Sequence, residues 1–195
     1  MKAVGILGSF FLLLIFFPTK SALKFPENCP GNIGLFTSRN FTLSCMETLT
    51  FSIDINAPAK TVWYTMLADD TYRQWTKEFH EGSYYEGNWD EGSEIRFVAQ
   101  DADGNTQGMF SRMKANDRYK FISIEHLGGI KNGEIDTNSE EIKKWAPALE
   151  NYTFVDKGEV TELIVEMQTS EEYKPAFNEM WPRALATLKK LCERS

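Results

Sequence analysis

Apolar and polar residues alternate through most of the chain after Met46, a pattern typical of strands that bury one face. The first run extends from Thr48 to Ile55, and its apolar positions are Leu49, Phe51, Ile53 and Ile55. Later runs are separated by turn residues that tolerate positive φ, such as Asp103-Gly104 and Lys157-Gly158. The pattern predicts about seven antiparallel strands, the other six being Ser83 to Trp89, Ser93 to Gln100, Thr106 to Lys114, Tyr119 to Leu127, Ala148 to Val155 and Glu159 to Met167.

Helical spacing occurs in three places. A short helix is predicted after Asn56-Ala57-Pro58, and a second one from Thr71 to Phe79. The longest helical pattern opens near Ser170 and continues to about Glu193, with a single apolar stripe of Tyr173, Phe177, Met180, Trp181, Ala184, Leu188 and Leu191. Because this stretch contains Pro175 and Pro182, we expect the helix to begin near Lys174 or to be kinked.

The segment from Gly128 to Trp145 does not follow either pattern and is predicted to be a long loop with room for a turn of helix. Its acidic part, Glu134 to Glu141, lacks the spacing of an EF-hand, so we interpret it as a solvated loop or lid. The order of strand, two helices, six strands and long helix predicts an α+β fold. The terminal helix is expected to cover one face of a curved antiparallel sheet, leaving space between the two.

The first 45 residues differ in composition from the rest. Ala3 to Phe17 is an uncharged run behind Lys2, which is typical of a secretory signal and too short to span a bilayer. Lys20 fits poorly beside the small residues expected at a cleavage site. We favour the alternative that Met46, directly before the first strand, is the true start; the protein is then expected to be cytoplasmic, and otherwise exported. Residues 46–195 form the predicted domain.

Charge and motifs exclude several function classes. The formal net charge of -7 argues against nucleic-acid partners, which require an excess of Lys and Arg. Cys29, Cys45 and Cys192 have no zinc-ligand spacing, and no nucleophile, zinc-protease or nucleotide-binding motif occurs. We therefore expect no metal and no cofactor, and assign no catalytic residue.

Aromatic and thioether side chains suited to an apolar ligand recur on the faces predicted to be buried. His126 shares a strand face with Ile122 and Ile124, so it is either a polar anchor in a pocket or a hydrogen-bonded core residue. His80 is expected to be a solvated residue at a helix end, and Arg112 to face solvent. The candidate ligand-binding residues are Met66, Trp75, Phe79, Phe97, Met109, Met113, His126, Tyr152, Met167, Phe177, Met180 and Trp181.

Two stretches resemble a known group of proteins. Ile55-Asn56-Ala57-Pro58 followed by Val62-Trp63 resembles the opening strand and helix of the START-like (SRPBCC) superfamily. Trp75, Gly92 before Ser93-Glu94-Ile95-Arg96-Phe97, and Trp181-Pro182 with Ala184-Leu185 and Leu188-Lys189 look like its branch of activators of heat-shock protein 90 ATPase. The resemblance covers nearly all of residues 46–193 and implies a helix-grip fold.

The superfamily resemblance implies a class of function rather than one activity. Our preferred hypothesis is a carrier or sensor that holds a small apolar or amphipathic molecule between the sheet and the last helix. A cochaperone-like protein with a chaperone partner is one alternative. A polyketide cyclase or aromatase-like enzyme is another, and would require His126 and a second polar group, such as Tyr85 or Tyr152, to face one cavity.

Overall fold

The computed structural model describes residues 46–194 of the chain. Within this range there are eight strands and three α-helices. The strands are β1 (Met46–Ile55), β2 (Tyr84–Gly87), β3 (Glu94–Gln100), β4 (Thr106–Asp117), β5 (Phe121–Lys131), β6 (Glu134–Asp136), β7 (Ala148–Asp156) and β8 (Thr161–Ser170). The helices are α1 (Ala59–Leu67), α2 (Asp69–Thr76) and α3 (Lys174–Cys192), with a 3-10 turn at Ile142–Lys144.

The strands form one antiparallel sheet in the order β1-β8-β7-β5-β4-β3-β2, with β6 paired to β5. Most neighbours are joined by short turns, which confirms the predicted meander. Two pairs are exceptions: β5 and β7 are separated along the chain by β6 and the 3-10 turn, and β1 pairs with β8 from Met46–Ser170 to Ile55–Thr161. The first and last strands of the described domain are therefore hydrogen-bonded to each other.

The alternation read from the sequence identifies the buried face. Leu49 and Ile55 of β1 are buried, as are Leu163, Val165 and Met167 of β8. Against this face lies α3, which buries Met180, Trp181, Ala184, Leu185, Leu188 and Cys192. The α+β architecture, with a long C-terminal helix on an antiparallel sheet, is the one predicted.

The long helix begins at Lys174, as the proline positions indicated, and Pro175 occupies its first turn, where a missing N–H costs no hydrogen bond. Pro182 lies inside the helix. Its neighbour Trp181 is nonetheless buried and stacks on Phe51 of β1, with 5.8 Å between ring centroids. This contact joins the middle of α3 to the sheet.

The prediction of a long loop from Gly128 to Trp145 was wrong in its first part. β5 continues to Lys131, turns at Asn132-Gly133, and pairs with β6. Gly128 lies within β5. The residue is a glycine because a Cβ at this position would lie 2.2 Å from the carbonyl oxygen of Asp136. Glycine at this position permits the close approach of β6, so it does not mark a loop.

The acidic segment after β6 is also more ordered than expected. The Asp136 carboxylate accepts hydrogen bonds from the backbone N–H groups of Asn138 and Ser139. Ile142 of the 3-10 turn is buried. Among residues 46–194, no group of three or more His, Cys, Asp and Glu side chains converges to form a metal site.

The apolar run from Ala3 to Phe17 and the cysteines Cys29 and Cys45 lie outside the described residues. In the range that is described, none of the helices is both long and apolar enough to cross a membrane.

Candidate ligand-binding site

A cavity of about 200 Å³ lies between the covered face of the sheet and α3, and residues of α2 also line it. Ten of the twelve candidate residues line it: Trp75, Phe79, Phe97, Met109, His126, Tyr152, Met167, Phe177, Met180 and Trp181. Met66 and Met113 do not. Each of these two methionines is 1% exposed and packs in the solid core instead.

The walls of the cavity are largely aromatic. Trp181 of α3 meets Phe79 edge-on at 4.8 Å between centroids, and Trp75 lies 6.1 Å from Phe79. Their polar atoms are occupied within the protein, because Trp75 Nε1 donates to the carbonyl of Met66 at 3.0 Å and Trp181 Nε1 to Met167 Sδ at 2.8 Å. These tryptophans therefore present apolar rings to the cavity.

His126 faces the cavity through the regular alternation of β5, and an irregularity in the sheet follows it directly. Phe110 pairs with Gly128, but Ser111 pairs with His126, so Leu127 is an extra residue in β5. Such a β-bulge shifts which residues of a strand face inward. Before the bulge Ile122, Ile124 and His126 are buried on one face; after it, Gly129 lines the cavity.

The buried His126 is part of a chain of hydrogen bonds. Its Nδ1 lies 2.8 Å from Ser111 Oγ, and its Nε2 lies 3.4 Å from Glu150 Oε2. The hydroxyl of Tyr152 donates to the other carboxylate oxygen of Glu150. His126 is thus hydrogen-bonded within the protein, as one of the two hypotheses expected, and it also lines the cavity.

The two tyrosines nearest Glu150 remain neutral at physiological pH. Burial raises the pKa of Tyr152 well above its usual value, and the nearby charge of Glu150 raises it further. Burial and the same carboxylate also raise the pKa of Tyr72, which lines the cavity. Glu150 thus contributes to the raised pKa of two tyrosines in the cavity wall.

His80 lies just beyond the end of α2 and is half-buried, less solvated than predicted. α2 ends at Thr76, and the hydroxyl of Ser83 donates to the carbonyl of His80, which holds this segment against the cavity. Burial lowers the pKa of the imidazole. Its Nδ1, like Nε1 of Trp89 in the same wall, is shielded from solvent and has no hydrogen-bonding partner among the described residues.

Arg112 faces solvent, as predicted, and is half-exposed. Its guanidinium binds Glu125 of the neighbouring strand, and this contact lowers the pKa of that carboxyl, with Lys114 contributing. Arg112 is therefore not available to a ligand in the cavity.

Sequence reasoning missed several lining residues, including Tyr72, Trp89, Glu150 and Tyr173. A signal for Glu150 was present in β7, where its position places it on the same strand face as the buried residues Ala148, Tyr152 and Phe154. A carboxylate on an otherwise apolar strand face is unusual enough to mark a site.

An antiparallel sheet covered by one long C-terminal helix, with a cavity between them, defines the START-like (SRPBCC) helix-grip class. The sequence of residues 56–193 matches the family model described as Activator of Hsp90 ATPase homolog 1-like protein. The chain belongs to this family.

Solved structures with the same fold have low sequence identity to this chain. A protein from Rhizobium loti is 12% identical with a TM-score of 0.58, over 75% of this chain and 97% of its own. A protein from Nitrosomonas europaea is 13% identical with a TM-score of 0.57, over 75% and 94%. CalU16 from Micromonospora echinospora is 17% identical with a TM-score of 0.53, over 79% and 81%. No curated protein is significantly similar to this chain in sequence.

Proposed function

We propose that this protein binds a small apolar or amphipathic molecule in the cavity between the sheet and α3, as a carrier or sensor. The observation that carries the proposal is the cavity itself, about 200 Å³ in volume and walled by aromatic and thioether side chains. An engineered apolar cavity of about 150 Å³ is enough to bind benzene. A molecule of roughly the size of naphthalene fits this volume.

The energetics of such binding are favourable. Removing about 200 Å² of apolar ligand surface from water at ~25 cal/mol/Å² contributes about 5 kcal/mol before ordering costs. The preformed aromatic walls keep those ordering costs low, since few side chains need to move. About 5 kcal/mol corresponds to a Kd of roughly 0.2 mM, so an affinity from the high-micromolar to the millimolar range is expected.

The proposal is tested with the purified full chain by native mass spectrometry, followed by organic extraction to identify any molecule released. In parallel, naphthalene is titrated and the melting temperature followed. Ala148→Leu narrows the cavity, because Ala148 is buried in its wall, whereas Ala102→Leu adds the same atoms at an exposed turn. We expect naphthalene to stabilise the parent and Ala102→Leu but not Ala148→Leu; equal stabilisation of all three would contradict binding in this cavity.

The family name supports a second candidate, a cochaperone-like role with a chaperone partner. This role predicts that the purified protein changes the ATPase rate of heat-shock protein 90. An unchanged rate at saturating protein would remove it.

A cyclase or aromatase-like activity has one supporting observation, since His126 and Tyr152 line the same cavity. Tyr85 does not take part, because its hydroxyl donates to the carbonyl of Leu67 at 2.9 Å. If the protein turns over such a substrate, His126→Ala should abolish turnover, and full retention of activity would reject His126 as the acid or base.

A further inference from the structure

Several polar groups in the cavity wall are occupied by partners within the protein, whereas His80 Nδ1 and Trp89 Nε1 have none among the described residues. Thr76 donates to the carbonyl of Tyr72, and Ser83 to that of His80. The side-chain oxygen of Gln168 accepts from the backbone N–H of Leu149. Glu150 differs from them. It is a carboxylate in an apolar wall, and its hydrogen bonds with His126 and Tyr152 do not use all of its acceptor capacity.

The direction of the hydrogen bonds to Glu150 follows from Ser111. This serine is fully buried, and among the described residues its hydroxyl contacts only Nδ1 of His126. A buried hydroxyl proton without an acceptor costs free energy, so Ser111 donates to Nδ1. With Nδ1 as the acceptor, the ring proton of His126 is on Nε2, which contacts Glu150 Oε2.

Each oxygen of Glu150 therefore receives one donor from the protein, Oε2 from His126 and Oε1 from Tyr152. An ionised carboxylate offers about four lone-pair sites in all. About half of its acceptor capacity is thus unused, and the side chain, which is 14% exposed, lines the cavity. His126 and Tyr152 also hold the carboxylate in a fixed orientation, which reduces the entropy lost when a further donor binds.

We infer that the ligand carries a hydrogen-bond donor, a hydroxyl or an ammonium group attached to an apolar body, and that the Glu150 carboxylate accepts this bond inside the cavity. A ligand carboxylate is excluded by the same group, since two negative charges would meet in an apolar environment. The inference rests on the proposed function and adds the polarity of the ligand to it.

Four probes with the same ring system test this, each measured against the full chain by calorimetry at pH 7: naphthalene, 1-naphthol, 1-naphthylmethylamine and 1-naphthoate. A hydrogen bond to a charged acceptor predicts at least tenfold tighter binding of 1-naphthol or 1-naphthylmethylamine than of naphthalene. 1-Naphthoate should bind more weakly than naphthalene. Whichever donor probe binds more tightly identifies the head group as hydroxyl or ammonium.

Variants test whether Glu150 causes the preference for the donor probes over naphthalene. Glu150→Gln keeps the shape but removes the charge and should reduce the preference for the donor probes to less than about threefold. Glu166→Gln, an exposed residue of the neighbouring strand β8, should leave it unchanged. Tyr152→Phe removes one internal donor and keeps the carboxylate, so the donor probes should still bind more tightly than naphthalene, with a smaller advantage because the carboxylate is held less firmly. This variant remains informative if Glu150→Gln does not fold.

The outcomes separate the two proposals. Binding of naphthalene with no advantage for either donor probe, or an unchanged advantage in Glu150→Gln, overturns the inference and leaves the proposed function standing. Loss of the advantage in Tyr152→Phe also overturns it, since recognition would then depend on the Tyr152 hydroxyl. If none of the probes binds, both proposals fail.

Discussion

At the residue scale, the hydrogen-bonded chain from Ser111 to Tyr152 combines structural and recognition roles. Buried polar groups stabilise a fold only when their partners are present, because an unmatched donor or acceptor loses its hydration without compensation. Ser111, His126 and Tyr152 each find a partner inside the protein. The carboxylate on which two of them converge is the group left with spare capacity.

Tyr152→Phe should destabilise the folded protein by about 1–3 kcal/mol, because it removes a donor to a largely buried carboxylate. The measurement is urea denaturation followed by tryptophan fluorescence. Tyr84→Phe is the matched control, since Tyr84 is half-buried at the cavity and its ring contact with Arg73 does not need the hydroxyl. Equal stability of Tyr152→Phe and the parent would contradict a stabilising role for this bond.

The contrast between Met109 and Met113 shows what the sequence could not resolve at this scale. Both residues lie on the inward face of β4, and both were reasonable candidates for a flexible ligand-contacting side chain. Met113 pairs with Ile124 in the solid core, whereas Met109 pairs with Gly129, where the absence of a side chain leaves space. Which inward residues border that space depends on packing partners far away in the sequence.

At the scale of secondary structure, alternation and helical spacing predicted most strands and all three helices because these periods follow directly from backbone geometry. The missed strand β6 has only three residues, Glu134–Asp136, too few to show a period. The misread glycines Gly128 and Gly129 lie within β5, where close backbone approach explains the first of them. The bulge at Leu127 leaves no mark in composition, since it is defined by pairing with β4.

The contact between α3 and the sheet is predicted to depend strongly on Trp181. Trp181→Ala removes a side chain that is 2% exposed and contacts Phe51, Phe79 and Tyr152, so it should cost about 3–5 kcal/mol of unfolding free energy. Chemical denaturation measures this. Arg183→Ala, two positions along the same helix on its half-exposed side, should change stability by less than about 1 kcal/mol. A similar loss of unfolding free energy in both variants would contradict a specific role for Trp181 in this contact.

The ion pair between Arg112 and Glu125, which links β4 and β5 on the outer face, should contribute to the pH dependence of the unfolding free energy. Arg112 depresses the pKa of Glu125, so the pair stabilises the fold above the carboxyl's unfolded pKa of about 4.3 and is lost as pH falls through the lower folded value. Arg112→Ala should lower stability at pH 7 by about 0.2–1 kcal/mol and reduce the slope of stability against pH below about 4.3. Unfolding free energies measured from pH 2 to 7 check this; an unchanged slope would contradict it.

At the scale of the whole molecule, residues 46–194 carry the fold and the cavity, and residues 56–193 carry the family match. The compartment in which the protein works depends on the segment before this domain. We propose that translation starts at Met46 and that the protein is cytoplasmic. Intact-mass analysis of the protein from its native host should give a chain beginning at Met46 or Glu47; a chain beginning near Leu23 would instead indicate export through a cleaved signal.

The pairing of β1 with β8 has a consequence for how the protein is made. Met46 is hydrogen-bonded to a strand that ends at Ser170, and Trp181 of α3 packs on Phe51, so the domain cannot close until its last helix has left the ribosome. At about 5–20 residues per second, β1 waits on the order of ten seconds for its partner. During that interval its apolar face is accessible to other nascent chains and to chaperones. Slower elongation over the final helix would lengthen the interval before the domain closes.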